Sequence, residues 1–227
     1  MTYVIAANRI WRPEMIANVK RRAQEIVAFI GEKHMLTPEH LDSLGAHCIF
    51  FPHWSYLIPP KIYERYECIV FHMTDLPFGR GGSPLQNLIA RGIYETKISA
   101  LLCVRELDAG PIYSKRPLSL YGSAQEIYMR AGQIVEDMIV DIMLNHPEPQ
   151  EQSGEVVFFP RRQSQHGDIA GLETLGKVYD FIRMLDADGY PPAFIETDDL
   201  RFEFSRASLK SGYIQADVTI KKKPHEE

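Results

Sequence analysis

The sequence predicts an α/β fold: a Rossmann-like, mostly parallel sheet with helices on both faces, followed by a small C-terminal α+β appendage. Three observations carry this. Apolar runs at residues 3–7, 47–51 and 68–72 have the length and continuity of strands buried on both faces. Segments of helical spacing alternate with them, which implies right-handed crossovers and parallel pairing. The 227 residues, 45% hydrophobic and 24% charged, suit one domain with an appendage or two small domains.

Residues 3–7 form the first strand, which stops at Asn8-Arg9. Pro13 opens a helix at a position proline favours, and Ile16, Val19, Ala23, Ile26 and Val27 recur at three and four residues. Residues 27–30 read equally as the start of a second strand, and periodicity leaves that boundary open. Thr37-Pro38-Glu39 combines an N-cap, an N1 proline and an early acid. The strand at 47–51 ends at Pro52-His53-Trp54-Ser55-Tyr56, and Pro59-Pro60 starts a short helix before Cys68.

The next stretch concentrates the chemistry. An apolar strand delivers His72 to its C-terminal edge, followed by Met73-Thr74-Asp75-Leu76-Pro77 and a loop containing Gly79, Arg80, Gly81 and Gly82. A helical segment at 85–90 and a strand over 97–105 lead to Leu107-Asp108-Ala109-Gly110. Ligands of open α/β sheets bind outside the carboxyl ends of the strands, where a histidine and an aspartate can serve as a base and its partner. Taken singly, a strand-end histidine is often satisfied by backbone and an aspartate before Ala-Gly is a turn former. Their placement around one glycine loop favours catalysis.

Beyond Pro111, Ser123 and Glu126 have capping-box spacing, and Ile127, Ala131, Ile134, Val135, Met138, Ile139 and Ile142 line one face of a long helix that His146-Pro147 ends. The polar segment 148–154 separates a catalytic domain, residues 1–150, from a C-terminal subdomain, 151–227. The latter holds a strand at 156–159, a helix over 174–185, and strand candidates at 193–196, 200–204 and 213–220.

The order His72, Thr74, Leu76-Pro77, Arg80-Gly81, Leu107-Asp108-Ala109-Gly110 resembles the signature of the formyltransferase family that uses N10-formyltetrahydrofolate. Pro160-Arg161-Arg162, Ile182-Arg183 and Tyr190-Pro191-Pro192-Ala193-Phe194 extend the likeness, which runs from about Ala46 to Phe194. In one place the chain departs from the pattern: the family's catalytic asparagine falls on Val70. Only about thirty residues follow Phe194, so the C-terminal barrel of longer members is missing or reduced to a small sheet.

The resemblance implies an N-formyltransferase with N10-formyltetrahydrofolate as formyl donor and no metal. Formyl transfer requires a neutral amine that loses a proton, which a histidine can accept, and hydrogen-bond donors for the oxygen that gains charge. His72 and Asp108 are the catalytic pair it implies. Asn8 and Thr74 are candidates for oxyanion or substrate contact, since Val70 cannot donate. His53, Trp54, Tyr56, Arg80, Gly81, Gly82, Leu107 and Gly110 are the folate-binding set. Arg9, Arg161 and Arg162 are candidates for binding a sugar nucleotide.

The net charge of −5 gives no support to a nucleic-acid binder. With the short C-terminus and the Arg-Arg stretch, this directs the expectation to a small-molecule amine: a UDP- or dTDP-linked 4-amino-4,6-dideoxy sugar. The alternatives are an aminoacyl group on a peptide-synthetase carrier or on tRNA, or a noncatalytic folate- or nucleotide-binding module. Three cysteines, an odd count in strand-like runs, read as buried free thiols in a reducing compartment. No apolar run approaches about 18 residues, so a soluble cytoplasmic protein is expected.

Overall fold

The open boundary after Ala23 is decided at Gln24, whose left-handed backbone (φ 56°) ends the helix. The computed structural model describes residues 1–223. Its elements are β1 (Thr2–Ala7), α1 (Met15–Ala23), β2 (Ile26–Ile30), α2 (Pro38–Leu44), β3 (Ala46–His53), α3 (Pro60–Tyr63), β4 (Glu67–His72), β5 (Phe78–Gly81), α4 (Pro84–Ala90), β6 (Glu95–Leu102), β7 (Ile112–Ser119), α5 (Ala124–Asn145), β8 (Val157–Phe159), α6 (Leu175–Arg183), β9 (Ala193–Glu196), β10 (Leu200–Lys210) and β11 (Tyr213–Lys222). Two compact units are built from interleaved stretches: Met1–Gly81, Thr96–Leu118 and Tyr128–Phe158 form the first, and Gly82–Glu95, Ser119–Ile127 and Phe159 onward the second.

The first unit is centred on a six-stranded sheet of order β2-β1-β3-β4-β6-β7. β1 runs parallel to β2 and β3, β3 is parallel to β4, and β6 is antiparallel to β4. Alternation sends Val4, Ala6, Ile49, Phe51 and Cys68 to one face, where Leu41 of α2 and Ile62 of α3 complete a dry core. Helices α1 and α5 are tied together through Glu136, which is buried and accepts from Asn18 and Arg22 at 3.3 and 3.1 Å. The strand order reverses between β1 and β3. Their C-terminal ends, at Ala7 and His53, therefore flank the switch point where α/β sheets place ligands.

The second unit carries a small antiparallel sheet of order β11-β10-β9. Thr174 caps α6 by accepting from the Lys177 amide. Arg183 is buried, and it donates to Asp180 and to the carbonyls of Leu120 and Gly122. The Ser123–Glu126 capping box forms reciprocally, with bonds of 2.7 and 3.3 Å. No helix among the described residues is long and apolar enough to cross a membrane.

Candidate functional site

β4 is an apolar strand whose last residue, His72, is buried at 8% exposure. Its Nε2 lies 2.7 Å from the Gly79 carbonyl. A carbonyl only accepts, so Nε2 carries the hydrogen and Nδ1 is the basic nitrogen of the neutral ring. Nδ1 in turn faces Asp108 Oδ2 at 3.6 Å. A proton arriving at Nδ1 therefore meets a carboxylate already in place.

The Asp108 carboxylate accepts from the Gly81 amide at 2.9 Å. Asp108 sits in the left-handed region (φ 54°), which aspartate tolerates better than most side chains. Gly110 sets the depth of the turn, because a Cβ there would stand 1.9 Å from the Leu102 carbonyl oxygen. Leu107 is exposed. Gln152 donates to the carbonyls of Asp108 and Gly110, both at 2.8 Å, and accepts from Arg80 at 2.7 and 3.2 Å.

Thr74 is fully buried, and its hydroxyl donates at 3.4 Å to the Gly79 carbonyl that His72 also uses. Asp75 pairs with Lys97 at 2.9 Å and Lys115 at 2.5 Å. Burial works against its charge, but the two lysines hold its carboxyl below the usual range. The Leu76–Pro77 bond is cis. In the second unit, Gly82 leaves no room for a side chain, since a Cβ would stand 2.6 Å from Arg161 Cα.

The residues expected to bind folate around the β3 exit point in two directions. His53 lies edge-on to Trp11 and Tyr128, with centroids 5.9 and 6.0 Å apart, in an open cleft that Met15, Phe71 and Val135 also line. Burial, and then the nearby Arg9 guanidinium, push the His53 pKa down to about 4, so its imidazole is neutral. Arg9 stacks over Trp11 at 4.9 Å in the same cleft. Trp54 instead packs edge-on against Phe51 and Tyr56, in the group that includes Val70 and Cys103. Its indole N–H is buried and has no hydrogen-bond partner among the described residues. Val70 stands two residues before His72 on the same face, so an isopropyl group occupies the asparagine position.

Asn8, at the end of β1, is committed to Ser55, accepting from its amide at 2.8 Å and donating to its hydroxyl at 3.3 Å. Arg162, in the second unit, gives its guanidinium to the His166 carbonyl and lies over Phe181. Burial lowers its pKa. The Arg162 amide donates to Ser83 at 3.0 Å, and Arg161 is exposed. Sequence reasoning missed Gln152, Lys97 and Lys115. Gln152 lies in a polar stretch that reads as a boundary, and nothing in the pattern singles out either lysine.

A solved chain described as methionyl-tRNA formyltransferase from Clostridium thermocellum is 47% identical, with a TM-score of 0.95 over 98% of this chain and 100% of that one. The chain belongs to the formyltransferase family. Residues 164–221 match the model of the methionyl-tRNA formyltransferase C-terminal domain. A methionyl-tRNA formyltransferase from Streptococcus pneumoniae is 26% identical over 83% of this chain and 64% of its own length. The chain thus spans somewhat under two thirds of the curated relatives it matches.

These findings overturn the expectation of an amino-sugar acceptor and of no nucleic-acid partner. A sugar N-formyltransferase from a Shewanella species aligns with a TM-score of 0.65 over 87% of this chain and 93% of that one, but at 16% identity, which shows the fold alone. Net charge is a sum over the whole surface and carries no information about where a polyanion docks. The short C-terminus fails as an argument too, because the Clostridium chain is covered over its full length by this one. The sugar-nucleotide role expected for Arg9, Arg161 and Arg162 rested on that acceptor and goes with it.

Proposed function

We propose that the chain transfers a formyl group from N10-formyltetrahydrofolate to the amine of an aminoacyl-tRNA of the methionyl type. The observation that carries this is the His72–Asp108 pair, at 3.6 Å, in a chain 47% identical to one described as a methionyl-tRNA formyltransferase. The site residues fit a folate, since the buried indole N–H of Trp54 has no acceptor among the described residues. Bound N10-formyltetrahydrofolate supplies the formyl carbon to which the amine adds. His72 Nδ1 takes the proton that the amine loses, and Asp108 stabilises the imidazolium. That proton is then available for the departing N10. The apolar cleft of Trp11, Met15, Phe71 and Tyr128 suits a thioether side chain, and sulfur packs well against aromatic edges.

Val70 favours a second reading, in which the chain holds folate but transfers nothing. The test is turnover with N10-formyltetrahydrofolate and methionyl-tRNA, following tetrahydrofolate release and the formylated ester, beside calorimetry with 5-formyltetrahydrofolate. Release with formylation supports transfer. Folate binding without release supports the second reading, and absence of binding removes both.

A further inference from the structure

We propose that Gln152 is a positioning residue for the reaction, acting through Asp108 rather than on any substrate. Its kinetic consequences rest on the formyl-transfer reading; its structural consequence does not. One amide group joins three parts of the site. Its NH₂ bridges the Asp108 and Gly110 carbonyls, at 2.8 Å each, which bracket the peptide units carrying the left-handed turn. Its carbonyl oxygen receives Nε and Nη2 of Arg80, the neighbour of the Gly81 amide that holds the Asp108 carboxylate.

The segment bearing Gln152 is itself registered against this turn. Gln150 and Ile112 exchange both backbone hydrogen bonds, at 2.7 and 2.9 Å, two residues after Gly110 and two before Gln152. The amide of Gln152 therefore reaches the turn from a fixed backbone, and an Asn at this position would fall short by one methylene. Two donors are needed, because both carbonyls accept from the same nitrogen. A carboxylate in its place offers none, though it would pair more strongly with Arg80. Without the bridge, the turn keeps the Gly81 amide on the Asp108 carboxylate and the Ala109–Glu106 and Leu102–Pro111 backbone bonds, but its two carbonyls lose their side-chain donor and the Asp108–His72 distance is less closely set.

Gln152→Glu and Gln152→Ala distinguish this role from simple anchoring of Arg80. Both are expected to lower kcat by about 10²-fold, as misplacement of a catalytic group near 1 Å does, with KM for the amine nearly unchanged. The imidazole ¹⁵N shifts of His72, recorded on the full chain, are expected to move in both variants and in the same direction as in an Asp108→Asn control. Wild-type kcat and His72 shifts in Gln152→Glu, with loss only in Gln152→Ala, would assign Gln152 to Arg80 and overturn the proposal. If Gln152→Ala fails to fold, Gln152→Glu alone decides. If the wild type shows no formyl transfer, the function reading falls while the ¹⁵N comparison still judges Gln152.

Discussion

Val70 of β4 stands opposite Leu101 of β6, on the strand face that ends in His72. The position that in the family's pattern holds a donor is thus part of an aliphatic surface shared with Trp54 and Cys103. An amide introduced there finds Leu101 across the ladder and apolar neighbours beside it. Val70→Asn is therefore expected to cost about 1–3 kcal/mol of stability without raising turnover. Denaturant midpoints and steady-state rates check both. A gain on the order of 10²-fold in turnover would instead show that the wild-type site lacks a donor that it could use.

His72→Ala and Asp108→Asn are each expected to lower turnover by about 10²-fold or more, the range of a positioned general base. Folate affinity by calorimetry and the thermal midpoint are expected to stay close to wild type. Near-normal rates in His72→Ala would remove the mechanism.

Some of this was legible in the sequence and some was not, for reasons that differ by element. β1, β3 and β4 read directly because strands buried on both faces must be apolar without interruption. The start of β2 did not, because a left-handed Gln24 that ends α1 leaves no trace in hydrophobic spacing. β7 passed unread: at the sheet edge its strand Ile112–Ser119 carries Lys115, Arg116 and Pro117, tolerable only where one side of the ladder is open. His72 and Asp108 showed themselves through their surroundings. The bond network that holds them together uses backbone carbonyls, which every residue has, so no residue type announces it.

Acid sensitivity follows from His53. Its folded-state pKa, about 4 against the usual 6.5, is depressed by burial first and Arg9 second. The unfolded chain therefore binds the extra proton between those values, and stability is fully present above pH 6.5 and lost as the pH falls towards 4. The loss is on the order of 3 kcal/mol at most. His53→Gln is expected to flatten this part of the profile, measured as urea midpoints across the same pH range. An unchanged slope would place the acid sensitivity elsewhere.

Gly110→Ala drives a methyl group into the Leu102 carbonyl. The turn must shift outward, at a cost of about 1–3 kcal/mol and with a loss of turnover larger than that destabilisation alone would produce. Comparing rates at a temperature where the variant is fully folded separates the two effects. Retained activity would show that the depth of the turn is not what places Asp108.

The left-handed backbone at Asp108 also sets a conflict between two kinds of selection. Glycine adopts that conformation without steric cost, and asparagine more readily than most residues, so either replacement could settle the turn while discarding the carboxylate. Screening variants for heat resistance alone would accept such replacements at residue 108 and yield folded but inert proteins. Only a screen that also demands turnover keeps the aspartate, so its persistence among variants would report which pressure had acted.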